Sequence, residues 1–223
     1  MHRLPCPCVA GAIRTGYDYG MSSAPLFQPI SVRDYLDGES KAKRKHEYIE
    51  GFLYSMAGAT NSHNRIATNA TGSLYSQLRG NRCQVFNSDT KVRVRFSRGT
   101  RFYYPDASVV CQPNPAGDTF HDAPIVIVEV ISESTRRTDE YEKREAYLMI
   151  DSLCVYVLVE QNSANALVYR RGDSGFFSET YSGCDAVIPL QEIDCTLSLA
   201  DLYENVSFPS AEELREHVNE YEF

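Results

Sequence analysis

The sequence predicts an α/β domain built on a mixed β-sheet flanked by helices. Three observations carry that expectation. Ile125-Val126-Ile127-Val128-Glu129-Val130-Ile131 is nearly continuous apolar, the pattern of a central strand buried on both faces. Lys91-Val92-Arg93-Val94-Arg95-Phe96 alternates strictly, the pattern of a strand with one buried face. Between His63 and Leu78, the residues Ile66, Ala70, Leu74 and Leu78 recur every four positions, the stripe of an amphipathic helix. Strand and helix patterns interleave along 223 residues with no internal repeat and no clear linker, so residues 26–223 read as one domain.

The elements follow in order. Met1 to Gly20 carries Pro, Gly and Cys without periodicity, and residues 1–25 read as a disordered or over-extended N-terminal segment. Ser31-Val32-Arg33-Asp34 has the form of a capping box and opens a short helix through Leu36. His46 to Met56 alternates around Gly51 and reads as a hairpin. Asn61 or Ser62 caps the helix that Gly80-Asn81 ends. Cys83 to Asn87, Lys91 to Phe96 and Phe102 to Cys111 are strands, followed by a Pro- and Gly-containing loop from Pro113 to Ala123. After the central strand, Thr138 or Asp139 opens a helix to about Ile150. Val155 to Glu160, Leu167 to Arg171 and Phe176 to Tyr181 are strands, and Ala211 to Tyr221 is a surface helix.

Composition narrows the class. The chain is 43% hydrophobic and 11% aromatic, and no apolar run reaches the length of a membrane span. Seven scattered cysteines without a CxxC pair point to neither a zinc site nor a disulfide framework, and a reducing cytoplasm fits them best. The net charge is −8, but it is unevenly spread. Arg79 to Arg101 holds seven basic residues and one acid, whereas Asp173 onward holds twelve acids and one base, Arg215. A basic stretch beside an acidic remainder is compatible with one polyanion-binding face. On the alternating strand Lys91, Arg93 and Arg95 share a face, which is either solvated or in contact with phosphate.

The chemistry sits in two carboxylates. Asp106 follows Tyr104-Pro105 at a strand, and Glu129 lies inside the apolar run. A lone buried carboxylate is expensive unless it is paired or holds a metal. Two of them on neighbouring strands point to a divalent cation, and Mg²⁺ is held by one or two carboxylates with water and substrate phosphate. Asp106 and Glu129, with the backbone carbonyl of Val130, would supply the hard oxygens. Such a cation lowers the pKa of bound water and neutralises a phosphoryl oxygen, so the residues read as a metal-dependent phosphodiesterase. A nearby lysine would stabilise developing charge.

The succession His46-Glu47-Tyr48-Ile49-Glu50-Gly51, Ser62-His63-Asn64, Tyr104-Pro105-Asp106, Val128-Glu129-Val130-Ile131-Ser132-Glu133-Ser134-Thr135 and Glu142-Lys143-Arg144-Glu145-Ala146-Tyr147 resembles the PD-(D/E)XK nuclease superfamily. Within it the resemblance is closest to the Uma-two family of restriction-endonuclease-like proteins, and it covers roughly Ser31 to Tyr203. It implies a restriction-endonuclease-like fold, a Mg²⁺ (or Mn²⁺) cofactor, a DNA substrate and a homodimer that brings one site to each strand. Carried over by position, Asp106 and Glu129 are metal ligands, Glu47 is an additional acid reaching the metal through water, and Lys143 is the catalytic lysine. His63 becomes a neighbour of the metal ligands or a phosphate donor. The departure is Ile131, which stands where the superfamily pattern has lysine. Lys143, on the following helix, would take over that place. Alternatives stay open at each position. Asp106 could cap a turn, Glu129 could pair with an arginine such as Arg136, and Lys143 could be held by Asp139 four residues earlier. A non-catalytic nucleic-acid-binding or regulatory module on the same fold is the runner-up, and a protein-interaction role is the third.

Overall fold

A computed structural model describes residues 28–56, 58–97, 99–133 and 135–209. The segments expected at 1–25 and at Ala211 to Tyr221 lie outside the described residues. The architecture is mixed α/β, with two main sheets and a small hairpin. The chain opens with α1 (Val32–Glu39), whose N-cap Ser31 accepts from the Asp34 amide. It runs beyond the expected end at Leu36. β1 (His46–Ile49) and β2 (Phe52–Ser55) form the expected hairpin. Their turn places Glu50 at φ 52° and Gly51 at φ 102°, the left-handed pair of a tight hairpin. Gly51 is also required sterically, because a Cβ there would lie 2.3 Å from that of Pro29. α2 (Asn61–Leu78) is capped by Thr60, one residue before the expected caps, through a bond from the His63 amide.

The strand expected over Phe102 to Cys111 is two strands. β4 (Lys91–Phe96) and β5 (Gly99–Tyr103) pair antiparallel in a five-stranded sheet of order β2-β1-β5-β4-β7, where β7 is Phe120–His121 within the expected loop. β6 (Ala107–Val110) leaves that sheet and joins a six-stranded one, pairing with β3 (Gln84–Asn87) and β8 (Pro124–Ile131). Tyr104-Pro105-Asp106 is the joint. Pro105 has no amide to give a ladder, so pairing stops there and the chain changes sheets. The second sheet continues from β8 in parallel to β9 (Val155–Glu160), then through β10 (Asn165–Gly172) to β11 (Gly175–Ser182).

Alternation on β8 determines what lies on each side of this sheet. Val126, Val128 and Val130 face the stripe of α2, where Ile66, Ala70, Leu74 and Leu78 are buried as the periodicity required. Ile127 and Ile131 face the other way, into a core shared with Val92, Val94 and Tyr103 of the first sheet. Glu129 is on this second face, between the sheets, by the same two-residue period. The chain after β11 was not legible from periodicity. β12 (Val187–Leu190), β13 (Cys195–Ser198) and α4 (Leu199–Leu202) are each four residues long, too short to show a period, yet Ile188, Leu190, Leu197 and Leu202 complete the core beside α2. Leu74 is wholly buried there. Leu74→Ala should therefore cost about 2–5 kcal/mol, read as a lower urea midpoint at unchanged m value.

The cysteine expectation is corrected. Cys83 and Cys111 form a disulfide. They flank the Gln84–Val110 end of the β3–β6 register, so they sit directly opposite each other. Such a cross-strand pair carries no spacing signal in the sequence. Among the described residues no helix is long and apolar enough to cross a membrane.

Candidate active site

Six elements deliver side chains to one place where the two sheets meet. β1 brings Glu47, the first turn of α2 brings His63, the β5–β6 joint brings Asp106, and β8 brings Glu129. Thr138–Lys143 is a π-helical turn rather than the expected regular helix, and it brings Asp139 and Lys143. α3 (Arg144–Tyr147) follows and brings Tyr147.

The contacts are specific to single oxygens. Asp106 Oδ2 accepts from the Val130 amide at 2.7 Å and lies 3.3 Å from His63 Nε2. The Asp106 amide donates to Glu129 Oε2 at 3.3 Å, which joins the two acids directly. Glu129 Oε1 receives Lys143 Nζ at 3.2 Å and the Tyr147 hydroxyl at 3.1 Å. The same ammonium lies 3.3 Å from Glu47 Oε1 and 3.2 Å from Asp139 Oδ1. Glu47 Oε1 also accepts from the Tyr104 amide at 3.3 Å. The π-helical turn is pinned from behind, where the Tyr156 hydroxyl donates to the Asp139 carbonyl at 3.0 Å.

Charge is out of balance. Glu47, Glu129 and Asp139 share one ammonium, Asp106 lies beside them against His63, and Glu129, Asp139 and Lys143 are 3, 3 and 7% exposed. Burial pushes the Lys143 ammonium toward losing its proton, but Glu129, Glu47 and Asp139 outweigh burial and hold its pKa well above the ordinary lysine range. Burial raises the Glu129 carboxyl well above its usual range. Lys143 pulls it back, and Asp139, Asp106 and Glu47 push it further up. Asp106 is raised by burial against the pull of His63, the Val130 amide and Lys143. These directions agree physically, since the one ammonium sees several anions while Glu129 sees that single cation against several acids.

The pH consequence follows by linkage. An acid whose folded pKa lies above its ordinary value, 3.8 for Asp106 and 4.5 for Glu129, binds more protons folded than unfolded between the two values. Its contribution to stability is present below the ordinary value and is lost as pH rises through the folded one. Metal-free protein should thus lose stability as pH climbs from about 4.5. Denaturant titrations across pH check this against Asp106→Asn, which should flatten the slope.

The site residues read from sequence divide into two groups. Glu47, His63, Asp106, Glu129 and Lys143 come together. Val130 joins them through its amide, which orients Asp106. Arg136 does not hold Glu129. It pairs with Glu140 and Glu160 instead. The basic face of β4 is corrected. Lys91 is 4% exposed and donates to the Tyr104 hydroxyl at 3.2 Å, and Arg93 forks onto Asp122 at 2.6 and 2.7 Å while lying over Phe120. Lys91 and Arg93 are thus already engaged by the protein's own groups. Arg95, reaching Asp122 at 3.6 Å, keeps its side chain two-thirds exposed and is the one of the three open to a polyanion. Tyr147 was overlooked as a site residue. The spacing Asp139-x₃-Lys143-x₃-Tyr147 was the available signal, since four-residue steps share one helix face.

The residues can be tested against a divalent cation. Among the described residues no three His, Cys, Asp or Glu side chains already surround a common point. The donors are nevertheless of the right kind: hard carboxylate oxygens, buried, in excess of positive charge, with the contacts of Asp106 on Oδ2 leaving Oδ1 for a ligand. Mg²⁺ commonly takes only one or two carboxylates and completes its shell with water and phosphate. The site fits such an ion.

Fold and site together define a mixed α/β protein of the restriction-endonuclease-like class. A crystal structure of a putative nuclease belonging to DUF820 from Anabaena variabilis superposes with a TM-score of 0.60 at 21% identity, covering 76% of this chain and 97% of that one. The chain belongs to the Uma2 family, described as "Putative restriction endonuclease", whose sequence model matches residues 32–200. Two Synechocystis relatives are also similar to this chain. Uncharacterized protein slr1290 is 30% identical over 188 residues, covering 83% of this chain and 97% of the relative. Uncharacterized protein sll1609 is 30% identical over 135 residues, 59% of this chain and 75% of the relative.

Proposed function

We propose that this protein is a Mg²⁺- or Mn²⁺-dependent endodeoxyribonuclease, a homodimer in which residues 26–223 form the nuclease domain. The observation that carries the reading is three buried acids around one ammonium, with Asp106 joined to Glu129 through the 3.3 Å bond from the Asp106 amide. Asp106, Glu129 and the Val130 carbonyl would hold the cation, whose chemistry is to polarise a phosphoryl oxygen and acidify bound water. The chain does the rest. The Val130 amide and His63 fix the Asp106 carboxylate, and Tyr147 fixes Glu129. Lys143 places a positive charge beside the reacting phosphate and orients the attacking water, and Glu47 keeps that ammonium in the pocket. Arg95 meets the DNA backbone.

The test is cleavage of supercoiled and linear DNA with Mg²⁺ or Mn²⁺ at several ionic strengths. Activity should vanish in Asp106→Ala. Absence of any cleavage by the wild type under all these conditions would sink the proposal, and a monomer by light scattering at working concentration would remove the dimer. Ile131 in place of the superfamily lysine favours a second reading, a nucleic-acid-binding module without catalysis. Its mark would be metal-independent, salt-sensitive DNA binding that survives loss of both Asp106 and Glu129.

A further inference from the structure

Lys143 has to do from a helix what a strand residue would otherwise do, and a long flexible side chain needs something to hold it there. Ile131 is two residues from Glu129 on β8, so the two share a face, and Ile131 is 2% exposed in the core between the sheets. A lysine at that position would emerge beside Glu129 on a rigid strand. Lys143 instead arrives across the gap from the π-helical turn and ends 3.2 Å from the same carboxylate. Of its three acidic partners, Glu129 is also a proposed ligand of the cation, so its charge is shared when a cation binds. Glu47 reaches Lys143 from β1, through the same Oε1 that accepts the Tyr104 amide. Asp139 alone belongs to the same turn as Lys143.

Asp139 is built in. It is 3% exposed, its amide donates to the Thr135 carbonyl at 2.9 Å, and its carbonyl accepts the Tyr156 hydroxyl at 3.0 Å. Its backbone is therefore clamped between the loop after β8 and strand β9. π-Helical turns carry i→i+5 bonds and recur where a side chain must be re-aimed. Here the turn begins one residue before Asp139 and ends on Lys143.

We propose that Asp139 is the positioning residue that makes a helix-borne lysine competent: it holds Lys143 Nζ at the Glu129 carboxylate. This rests on the nuclease reading above. Asp139 contacts Lys143 directly and reaches Asp106 and Glu129 only through space, so its direct hold is on the lysine rather than on the cation ligands.

Asp139→Asn keeps the shape and removes the charge. With saturating Mn²⁺, kcat on linear DNA should fall at least about ten-fold while KM stays within about two-fold. Mn²⁺ affinity, read by electron paramagnetic resonance, should stay within about three-fold of wild type. Asp139→Glu, which restores the carboxylate, should recover part of kcat. The proposal is overturned if Asp139→Asn keeps wild-type kcat, if Mn²⁺ affinity falls in step with kcat, or if the glutamate variant is no better than asparagine. Should Asp139→Asn fail to fold, Asp139→Ser, which also removes the charge, takes its place and is judged by the same three criteria. If the wild type cleaves nothing, the nuclease reading falls separately. Mn²⁺-soaked crystals then decide the positioning claim, which fails if Lys143 leaves Asp139 when Glu129 takes the ion.

Discussion

Lys143→Met should cost about 3–5 kcal/mol at pH 7, the expected penalty for removing one partner from a buried ion cluster. Methionine preserves the length of the side chain, so the lost quantity is charge rather than packing. Glu47, Glu129 and Asp139 all face this ammonium within 3.3 Å. Without it, three buried carboxylates and the neighbouring Asp106 oppose one another with only His63 nearby. The pH dependence identifies the mechanism. Protonating the acids relieves their repulsion, so the variant should recover most of the loss as pH falls toward the ordinary carboxylate values, where wild type gains less. Divalent cation should do the same at pH 7, since a ligand that binds only the folded state stabilises it. Urea midpoints at several pH values, with and without Mn²⁺, check both arms. A loss of equal size at every pH, unmoved by cation, would show that Lys143 matters only for packing.

That outcome bears on what the sequence can and cannot disclose. The stripe on α2, the alternation of β4 and the apolar run of β8 are periodic over enough residues to be read directly, and the structure has the α2 stripe, the β8 run and Val92 and Val94 of β4 buried where their periods put them, although Lys91 on the opposite face of β4 is buried too. The two acids were legible for a related reason, because a carboxylate inside an apolar run demands a partner. Their partners were harder to find. Lys143 and Asp139 look like an ordinary four-residue surface pair, and only tertiary packing turns that pair inward onto Glu47 and Glu129. The break at Tyr104-Pro105-Asp106 has the same character. Proline marks a stop in pairing, but whether the chain bends within one sheet or crosses to another depends on strands far away in sequence. The basic face of β4 misled because its neutraliser, Asp122, sits in a loop whose approach no local pattern encodes. Sites made of side chains from six elements are legible in their components, and their connectivity is set by packing.

Glu129→Gln should separate function from stability. Glutamine has the size of glutamate, and its oxygen can keep the bonds from Lys143 and Tyr147 that now end on Oε1. Its amide nitrogen would then take the place of Oε2 and meet the Asp106 amide, now 3.3 Å away, donor against donor. That costs about 1 kcal/mol, the scale of one ordinary hydrogen bond. Against it stands the removal of a buried charge that burial and three other acids already oppose. The two effects are of opposite sign, so metal-free stability should stay within about 1 kcal/mol of wild type. Cleavage should not survive. Losing one of two carboxylate ligands is expected to remove about 4 kcal/mol of transition-state stabilisation, roughly a thousand-fold in rate. The increase in melting temperature on adding Mn²⁺ should vanish with it. Differential scanning fluorimetry with and without Mn²⁺, run beside the cleavage assay, reads both quantities on one preparation. A variant that folds like wild type, is still stabilised by Mn²⁺ and still cuts would place the cation somewhere other than between Asp106 and Glu129.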